Sequence, residues 1–290
     1  MAERMNDFAP PLSDAQRKNV SWWEENPMTY DWENTLRLTP GSREWYEEID
    51  RRFFSASYFA KGADGTPFGR FMKPARIAGR DVLEIGCGMG AHAAMLTRAG
   101  ARLTAIDLTK RAVEVTRRRF EIFGLNADIQ RADAETLPFP DRAFDTVWTW
   151  GVIHHSARFE SCLGEIARVL RPGGHLMMMV YHRPSIVYYV HNGVIRGVLM
   201  GHLLRKSLQQ IYVDTGDGFY ARTFNKRELS AHLAPSFENV AFSIIGLKAE
   251  LYPIPRTGFK VWLESVTPDR LASAVLGRWG SMIVAEATRR

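Results

Sequence analysis

The stretch Asp81-Val82-Leu83-Glu84-Ile85-Gly86-Cys87-Gly88-Met89-Gly90 decides the fold. Its first five residues have an apolar centre and predict a short buried strand, and the three glycines predict a tight turn into a helix. Glycine suits such a turn because it adopts backbone conformations that a Cβ disfavours, and because a Cβ would collide with a ligand close to the main chain. The stretch therefore predicts a strand, a turn and a helix, with a ligand site at the turn.

Strand and helix patterns alternate from Asp81 onward. The predicted strands are 81–85, 101–107, 127–131, 144–149, 175–181, 237–247 and 281–288. The predicted helices between them include 91–99, 110–123 and 162–170, and Gly100 and Gly124 end the first two. Such alternation requires a parallel sheet with helices on both faces. The sequence thus predicts an α/β fold with a seven-stranded, Rossmann-like, doubly wound and mostly parallel sheet.

The chain divides into four segments by pattern. Residues 1–75 carry half of the eight tryptophans, and Trp45, Ile49 and Phe53 recur at helical spacing, which predicts a helical N-terminal cap. The ligand-binding core is predicted over 76–183. The segment 184–235 is predicted as an inserted lid over the second-substrate pocket, and 236–290 as the C-terminal strands that complete the sheet.

Composition favours a soluble enzyme. The 290 residues carry a net charge of +6, but the basic residues are scattered rather than gathered in one block, so we expect a solvated surface and no nucleic-acid partner. Cys87 and Cys162 have no neighbouring cysteine or histidine motif, which disfavours a structural zinc site or a disulfide framework. The polar start of the chain lacks the apolar run of a signal peptide. We therefore expect a cytoplasmic location.

The glycine loop alone leaves two ligand classes open. Gly86, Gly88 and Ala91 also satisfy the dinucleotide-binding spacing. Asp107, at the end of the second predicted strand, does not decide the matter, because an acid at this place binds ribose hydroxyls in either class.

Further motifs resolve this ambiguity. Glu84 lies two residues before the first glycine, Asp133 and Ala134 follow the third predicted strand, and Gly151-Val152-Ile153-His154-His155 follows the fourth. Arg168-Val169-Leu170-Arg171-Pro172-Gly173-Gly174 precedes the fifth. In this order the motifs resemble the class I S-adenosylmethionine-dependent methyltransferases, specifically the small-molecule branch that includes the ubiquinone and menaquinone biosynthesis enzymes. The resemblance covers about Asp81 to Tyr181.

The resemblance implies S-adenosyl-L-methionine as the cofactor and a set of residues that bind it. These are Glu84, Gly86, Cys87, Gly88, Gly90, Asp107, Leu108, Asp133, Ala134 and Trp150. Asp107 would hold the ribose hydroxyls, Asp133 would accept a hydrogen bond from the adenine amine, and Glu84 would support the amino-acid end. The alternative is purely structural, with Glu84 in a salt bridge and Asp133 as a helix cap.

The methyl acceptor requires residues outside this set. An oxygen or nitrogen acceptor often needs a base, and His154 and His155 are the best candidates because they follow the fourth strand at the ligand-binding edge. Tyr181 ends the fifth strand at the same edge and is a further catalytic candidate. Relatives that bind a divalent ion carry acids where this chain has Gly151 and His154. We therefore expect no metal.

The cap and the lid supply the remaining candidates. Tyr30 and Tyr58 are predicted to close over the cofactor, and Arg183 is predicted to hold an acidic acceptor group, or alternatively to form a surface ion pair. In 185–204, Gly193, Gly197 and Gly201 recur every four residues. This spacing predicts a lid helix packed on a neighbouring helix or on a second subunit of a homodimer. A lipophilic acceptor or a membrane surface is the alternative interpretation.

Four functions therefore need to be distinguished. A methyltransferase for a small-molecule acceptor, with an O, N, S or C acceptor atom, is the prediction. An RNA or protein methyltransferase is suggested by the basic charge, but the place where amino-group enzymes carry Asn/Asp-Pro-Pro-Tyr/Phe reads Thr149-Trp150-Gly151-Val152. A nicotinamide-dependent oxidoreductase is allowed only by the glycine loop. A relative that binds the cofactor without turnover is the fourth.

Overall fold

The computed structural model describes residues 12–29 and 36–290. Its strands are β1 Asp81–Ile85, β2 Arg102–Asp107, β3 Asp128–Arg131, β4 Phe144–Trp150, β5 Leu170–His182, β6 Thr223–Phe224, β7 Phe237–Ile245 and β8 Met282–Arg289. Its α-helices are α1 Asp14–Glu25, α2 Arg43–Ala56, α3 Ala91–Arg98, α4 Lys110–Phe123, α5 Phe159–Val169, α6 Leu208–Thr215, α7 Lys226–Leu233, α8 Gly258–Val266 and α9 Asp269–Trp279. A π-helix spans Val187–Leu199.

The sheet has the order β3-β2-β1-β4-β5-β8-β7, with β6 paired to β5. β8 runs antiparallel to both of its neighbours, and the other pairs are parallel. This confirms the predicted α/β class and the mostly parallel sheet. The predicted strand number is wrong by one, because β6 has only two residues and is too short to show an alternating pattern.

Each face of the sheet is buried by its own helices. Alternate residues of β1 point to opposite faces, so Leu83 and Ile85 pack with α5 and α7, whereas Val82 packs with α3, α4 and α9. This is the doubly wound arrangement. The carboxyl ends of β1, β2 and β4 consequently meet at one edge of the sheet.

The N-terminal cap is fixed to α4 by its second helix. Trp45, Tyr46 and Ile49 form a buried cluster with Met89 of the glycine loop. The Tyr46 hydroxyl donates to the carbonyl of Val115 at 2.7 Å. α2 therefore packs directly beside the glycine loop.

The segment predicted as a lid helix differs in detail from the expectation. It forms a π-helix that ends at Leu199, so Gly201 lies beyond it in a left-handed conformation with φ of 73°. Of the three glycines only Gly197 is buried, and a Cβ there would lie 2.8 Å from Leu203 of the same chain. The predicted stripe of three glycines along one α-helical face is therefore wrong, because the glycines do not share one regular α-helix.

Candidate functional site

A cavity of about 1220 Å³ opens at the carboxyl edge of the sheet. The predicted site residues that line it are Tyr58, Glu84, Gly86, Cys87, Gly88, Asp107, Leu108, Asp133, Ala134, Trp150, His155 and Tyr181. Gly90, His154 and Arg183 are not among the lining residues, and Tyr30 lies outside the described part of the chain. The fold thus brings most of the predicted site residues together around one space.

Gly86 and Gly88 of the glycine loop lack a side chain for different reasons. Gly86 and Gly88 both have positive φ, of 80° and 52°. A Cβ on Gly86 would lie 2.2 Å from Cγ2 of Val152, whereas a Cβ on Gly88 would meet nothing within 4 Å. Gly86 is therefore needed by the protein itself, and Gly88 leaves open space into which a ligand fits.

Asp107, at the end of β2, accepts three hydrogen bonds from neighbouring residues. Its Oδ2 accepts a hydrogen bond from the Gly88 amide at 3.0 Å. Its Oδ1 accepts from the amide and the hydroxyl of Thr109 at 2.9 and 2.8 Å. Burial raises the pKa of Asp107, and these hydrogen bonds oppose that rise. The carboxylate is thereby oriented beside the loop, where it can accept from ligand hydroxyls.

Glu84 is the most unusual acid of the site. Its side chain is buried within β1, and Oε2 has no hydrogen-bond partner among the residues that the structure describes. Burial first, and the charge of Asp107 second, raise its pKa to about 8. A buried acid without a partner is costly, and such groups concentrate at functional sites. The position fits a cationic ligand group such as the ammonium of S-adenosyl-L-methionine.

Asp133 is contacted by the N-terminal helix α1. The Gln16 side-chain amide donates to Oδ1 of Asp133 at 2.9 Å, as does the Glu135 main-chain amide. Asn19, one turn further along α1, donates to the His155 carbonyl at 2.7 Å. Gln16 and Asn19 both line the cavity and were not identified from sequence. They lie at i and i+3 on the buried face of α1, and the sequence pattern does not show that this face is buried.

His155 lines the cavity, and one of its ring nitrogens is buried without a hydrogen-bond partner among the described residues. Its Nδ1 lies 2.7 Å from the Tyr220 carbonyl, and because a carbonyl only accepts, Nδ1 carries the proton. The lone pair is then on Nε2, which has no partner within the described chain. Burial lowers the pKa of His155 to about 4, so the ring is neutral near pH 7. Gly218 allows this ring position, since a Cβ there would lie 2.5 Å from Nδ1.

His154 and Tyr181 pack behind and beside His155. The His154 ring is fully buried, and its centroid lies 4.1 Å from the ring centroids of both His155 and Tyr181. Burial lowers the pKa of His154 well below its usual range. Tyr181 reaches the cavity wall together with Tyr212, at a ring separation of 6.0 Å. His155, rather than His154, is thus the histidine that faces the cavity.

An aromatic wall borders the cavity at the end of β4. Trp150 contacts the rings of Phe68 and His92 at 4.9 and 5.7 Å. Nδ1 of His92 accepts a hydrogen bond from the indole of Trp148 at 3.3 Å, and burial lowers the pKa of His92 to about 3. The sequence prediction included Trp150 but not His92, which follows the glycine loop directly and was hidden in a helix pattern.

Arg183 and Tyr58 differ in their relation to the cavity, because Tyr58 lines it and Arg183 does not. Arg183 forms an ion pair with Glu228 of α7. This matches the alternative interpretation of Arg183 as a surface ion pair. Tyr58 is buried, and Nζ of Lys248 lies 5.4 Å from the centre of its ring. Burial raises the Tyr58 pKa to about 12, so this phenol remains protonated near neutral pH.

Comparison with known proteins finds similarity over the core of the chain. Residues 83–178 match the methyltransferase domain family. Phthiotriol/phenolphthiotriol dimycocerosates methyltransferase 1 of Mycobacterium ulcerans is 33% identical over 178 residues, which are 61% of this chain and 64% of that protein. Fatty-acid O-methyltransferase of Mycolicibacterium smegmatis is 43% identical over 105 residues, 36% of this chain and 38% of that protein. The chain therefore spans less than two thirds of the length of these curated relatives.

Solved structures share the fold at low identity. An S-adenosylmethionine-dependent methyltransferase from Thermotoga maritima has a TM-score of 0.51 and 20% identity, covering 85% of this chain and 97% of its own. The [4+2]-cyclase SpnF has a TM-score of 0.50 and 20% identity, covering 89% of this chain and 84% of its own. Because a cyclase shares this fold, the fold alone does not determine the reaction.

Proposed function

We propose that this chain, whose residues 83–178 are a methyltransferase domain of the class I, S-adenosylmethionine-dependent type, methylates a small lipophilic acceptor. The match to this domain confirms the family and the cofactor that the sequence motifs predict, and it disfavours a nicotinamide-dependent oxidoreductase. The observation that carries the proposal is the single cavity that extends from Glu84 and Asp107 to His155 and Tyr181.

The cavity is large enough for two molecules. Its volume of about 1220 Å³ exceeds the roughly 300–1,000 Å³ of common ligand pockets. One end has the oriented carboxylate of Asp107, the buried acid Glu84 and the open space at Gly88. The other end is bordered by the rings of Tyr181 and Tyr212. We assign the first end to the cofactor and the second to an acceptor with a substantial apolar part.

The bound cofactor supplies a methyl group on a sulfonium sulfur. The residues of this chain contribute binding, alignment and a proton acceptor. Asp107 would hold the ribose hydroxyls, and Glu84, in its ionised form, would hold the ammonium. Nε2 of His155 would take the proton of an acceptor hydroxyl, and the proton shared with Tyr220 on Nδ1 would keep the ring oriented. A carboxylate acceptor has no such proton and needs no base.

The relatives support a lipid as the acceptor class. The two curated relatives described above are named for a dimycocerosate substrate and for a fatty acid. A fatty acid has an apolar chain, which agrees with the aromatic acceptor end of the cavity. An RNA or protein acceptor finds no comparable support.

The test is transfer of a labelled methyl group from S-adenosyl-L-methionine to a panel of acceptors. The panel contains a long-chain fatty acid, a long-chain phenol, bulk tRNA and a mixture of proteins. We expect label in the lipid-soluble products only. Label in tRNA or protein, or tight cofactor binding without transfer to any lipophilic acceptor, would contradict the proposal.

Asp107→Ala provides the matched test of the cofactor end. Loss of the oriented carboxylate should weaken binding of S-adenosyl-L-methionine by at least about tenfold in calorimetry, since charge-assisted hydrogen bonds are lost. Binding of near-normal affinity would remove Asp107 from the ribose site. Nicotinamide dinucleotide, titrated into the unaltered protein, should give no heat of binding.

A further inference from the structure

The helix α8 lies on the protein without burying any of its residues. Phe259, Trp262 and Val266 are 60%, 55% and 52% exposed, and the rings of Phe259 and Trp262 stack at 5.8 Å. Exposed apolar residues are ordinary when scattered singly, but a cluster on one short helix marks an interaction surface.

The π-helix and the turn after it expose a second apolar cluster. Val198, Leu199, Met200 and Leu204 are 65%, 74%, 62% and 89% exposed. Together with Phe259, Trp262 and Val266 of α8, these residues are termed here the outer apolar face.

Both parts of the outer apolar face belong to elements that border the cavity. Val187 and Asn192 of the π-helix and Val261 and Glu264 of α8 all line it. The π-helix is also tied to the chain before α8, because Nε2 of His191 lies 3.1 Å from the carbonyl of Glu250. The two elements that carry the outer apolar face thus also form part of the cavity wall.

The charged side chains in and just after the π-helix are basic. No aspartate or glutamate occurs from Pro184 to Val213, whereas Arg196, Arg205 and Lys206 are exposed there. Lys206 pairs with Asp214, the first acid after this stretch. Exposed apolar residues with basic neighbours are complementary to a surface that is apolar inside and negatively charged outside.

We propose that the outer apolar face docks on the surface of an anionic lipid bilayer. Trp262 and Phe259 are residue types that settle at the boundary between headgroups and acyl chains. No helix within 12–29 and 36–290 is long and apolar enough to cross a membrane. Docking is a property of this surface and does not depend on the methyl transfer proposed above, although it would deliver a lipid directly to the cavity.

Docking is tested by co-sedimentation of the full chain with vesicles, without cofactor or acceptor. The vesicles are phosphatidylcholine with about 30% phosphatidylglycerol, compared with phosphatidylcholine alone. We expect tighter binding to the anionic vesicles. The double variant Leu199→Ser, Leu204→Ser should bind at least about tenfold more weakly, because two large apolar side chains no longer insert.

Two further variants separate the apolar and the electrostatic contributions. Trp262→Ser should weaken binding to both kinds of vesicle. Arg196→Glu should weaken binding to anionic vesicles by about fivefold or more and leave phosphatidylcholine unaffected. Leu38→Ser is the matched control, because Leu38 is 39% exposed and lies in the N-terminal cap, outside the outer apolar face.

Three results would overturn the docking proposal. They are absence of sedimentation with anionic vesicles, equal sedimentation of the Leu199→Ser, Leu204→Ser variant, and a dimer in analytical ultracentrifugation that this variant dissociates. The last result would assign the face to a second copy of the chain. Calorimetry with S-adenosyl-L-methionine should give the same affinity for the variant and the unaltered protein, so failure of docking and failure of the proposed function are separate outcomes.

Discussion

The two ends of the cavity are built in different ways. At the cofactor end, Asp107 is held by Gly88 and Thr109, which lie on either side of it in the same β-α-β unit. At the acceptor end, His155 is held by the carbonyl of Tyr220 and packed by Gly218, both from a segment more than sixty residues later. The cofactor end is therefore a local structure, and the acceptor end is assembled by tertiary contacts.

Because the two ends are built differently, they differ in how much substitution they tolerate. The cofactor end depends on backbone geometry and on a few carboxylates, so it tolerates little change. The acceptor end depends on side chains from the cap, the π-helix and α6, which can change without disturbing the sheet. Shared chemistry at one end and a variable substrate at the other follow from this arrangement.

The largest effect is expected at the acceptor end. His155→Ala removes the proposed proton acceptor and should lower kcat for a hydroxyl acceptor by about 10²–10⁴-fold. Affinity for S-adenosyl-L-methionine should stay within about twofold, because His155 acts on the other substrate. Steady-state kinetics with a long-chain phenol measure the effect.

A carboxylate acceptor is the control for this variant. A long-chain fatty acid has no proton to lose near pH 7, so its methylation should be far less sensitive to His155→Ala. Equal losses for the phenol and the fatty acid would mean that His155 positions substrates rather than accepting a proton. Unchanged turnover of both would exclude a role in the reaction.

The second prediction separates folding from binding within the glycine loop. Gly88→Ala places a Cβ in open space at a left-handed φ, so it should cost only about 1 kcal/mol of folding free energy. It should still weaken cofactor binding by about tenfold to a hundredfold, because that space is where the ligand approaches the main chain. Gly86→Ala should instead destabilise the protein by about 3 kcal/mol or more, because its Cβ would strike Val152.

Thermal unfolding and calorimetry together check this pair. A Gly88→Ala protein that binds S-adenosyl-L-methionine normally would show that the cofactor does not approach this glycine. A Gly86→Ala protein as stable as the parent would show that Val152 moves aside easily.

The third prediction concerns pH. The raised pKa of Glu84, about 8 against an ordinary value of 4.5, means that its carboxyl is mostly protonated at pH 7 in the free protein. A bound ammonium favours the carboxylate, so affinity should rise with pH up to about 8, by at most about tenfold per unit. Glu84→Gln should remove this pH dependence and lower the affinity at pH 8. A parallel pH profile in the variant would assign the dependence to another group.

The raised pKa of Glu84 also predicts how the stability of the free protein depends on pH. The folded state holds the Glu84 proton more tightly than the unfolded state does, so this residue makes stability fall as pH rises from about 4.5 toward 8. Glu84→Gln should therefore be more stable than the parent at pH 8 and about equally stable near pH 4. Chemical denaturation at the two values measures the difference.

The smallest effect is expected for Gln16 of α1, which contacts Asp133. Gln16→Ala removes one hydrogen bond to Asp133 and should weaken cofactor binding by about two- to fivefold. Arg17→Ala, on the exposed side of the same helix, is the control and should have no effect on affinity. A stronger cofactor affinity in Gln16→Ala would show that the amide competes with the adenine for Asp133.

The structure explains which parts of the molecule could be predicted. The helix α4 spans the predicted residues 110–123, because Thr109 caps its start and Gly124 ends it with φ of 62°. The π-helix was missed because four-residue glycine spacing indicates an α-helix. The contacts of Gln16 and Asn19 were missed because they join residues 117 and 136 positions apart, and no local pattern encodes such pairs.

Helix α1 forms hydrogen bonds with residues assigned to both ends of the cavity. Gln16 contacts the acid assigned to adenine, and Asn19 contacts the main chain of the histidine assigned to the acceptor. Any coupling that passes through α1 is reciprocal, so a donor that fixed this helix would raise the affinity for the acceptor by the same factor by which the acceptor raised the affinity for the donor.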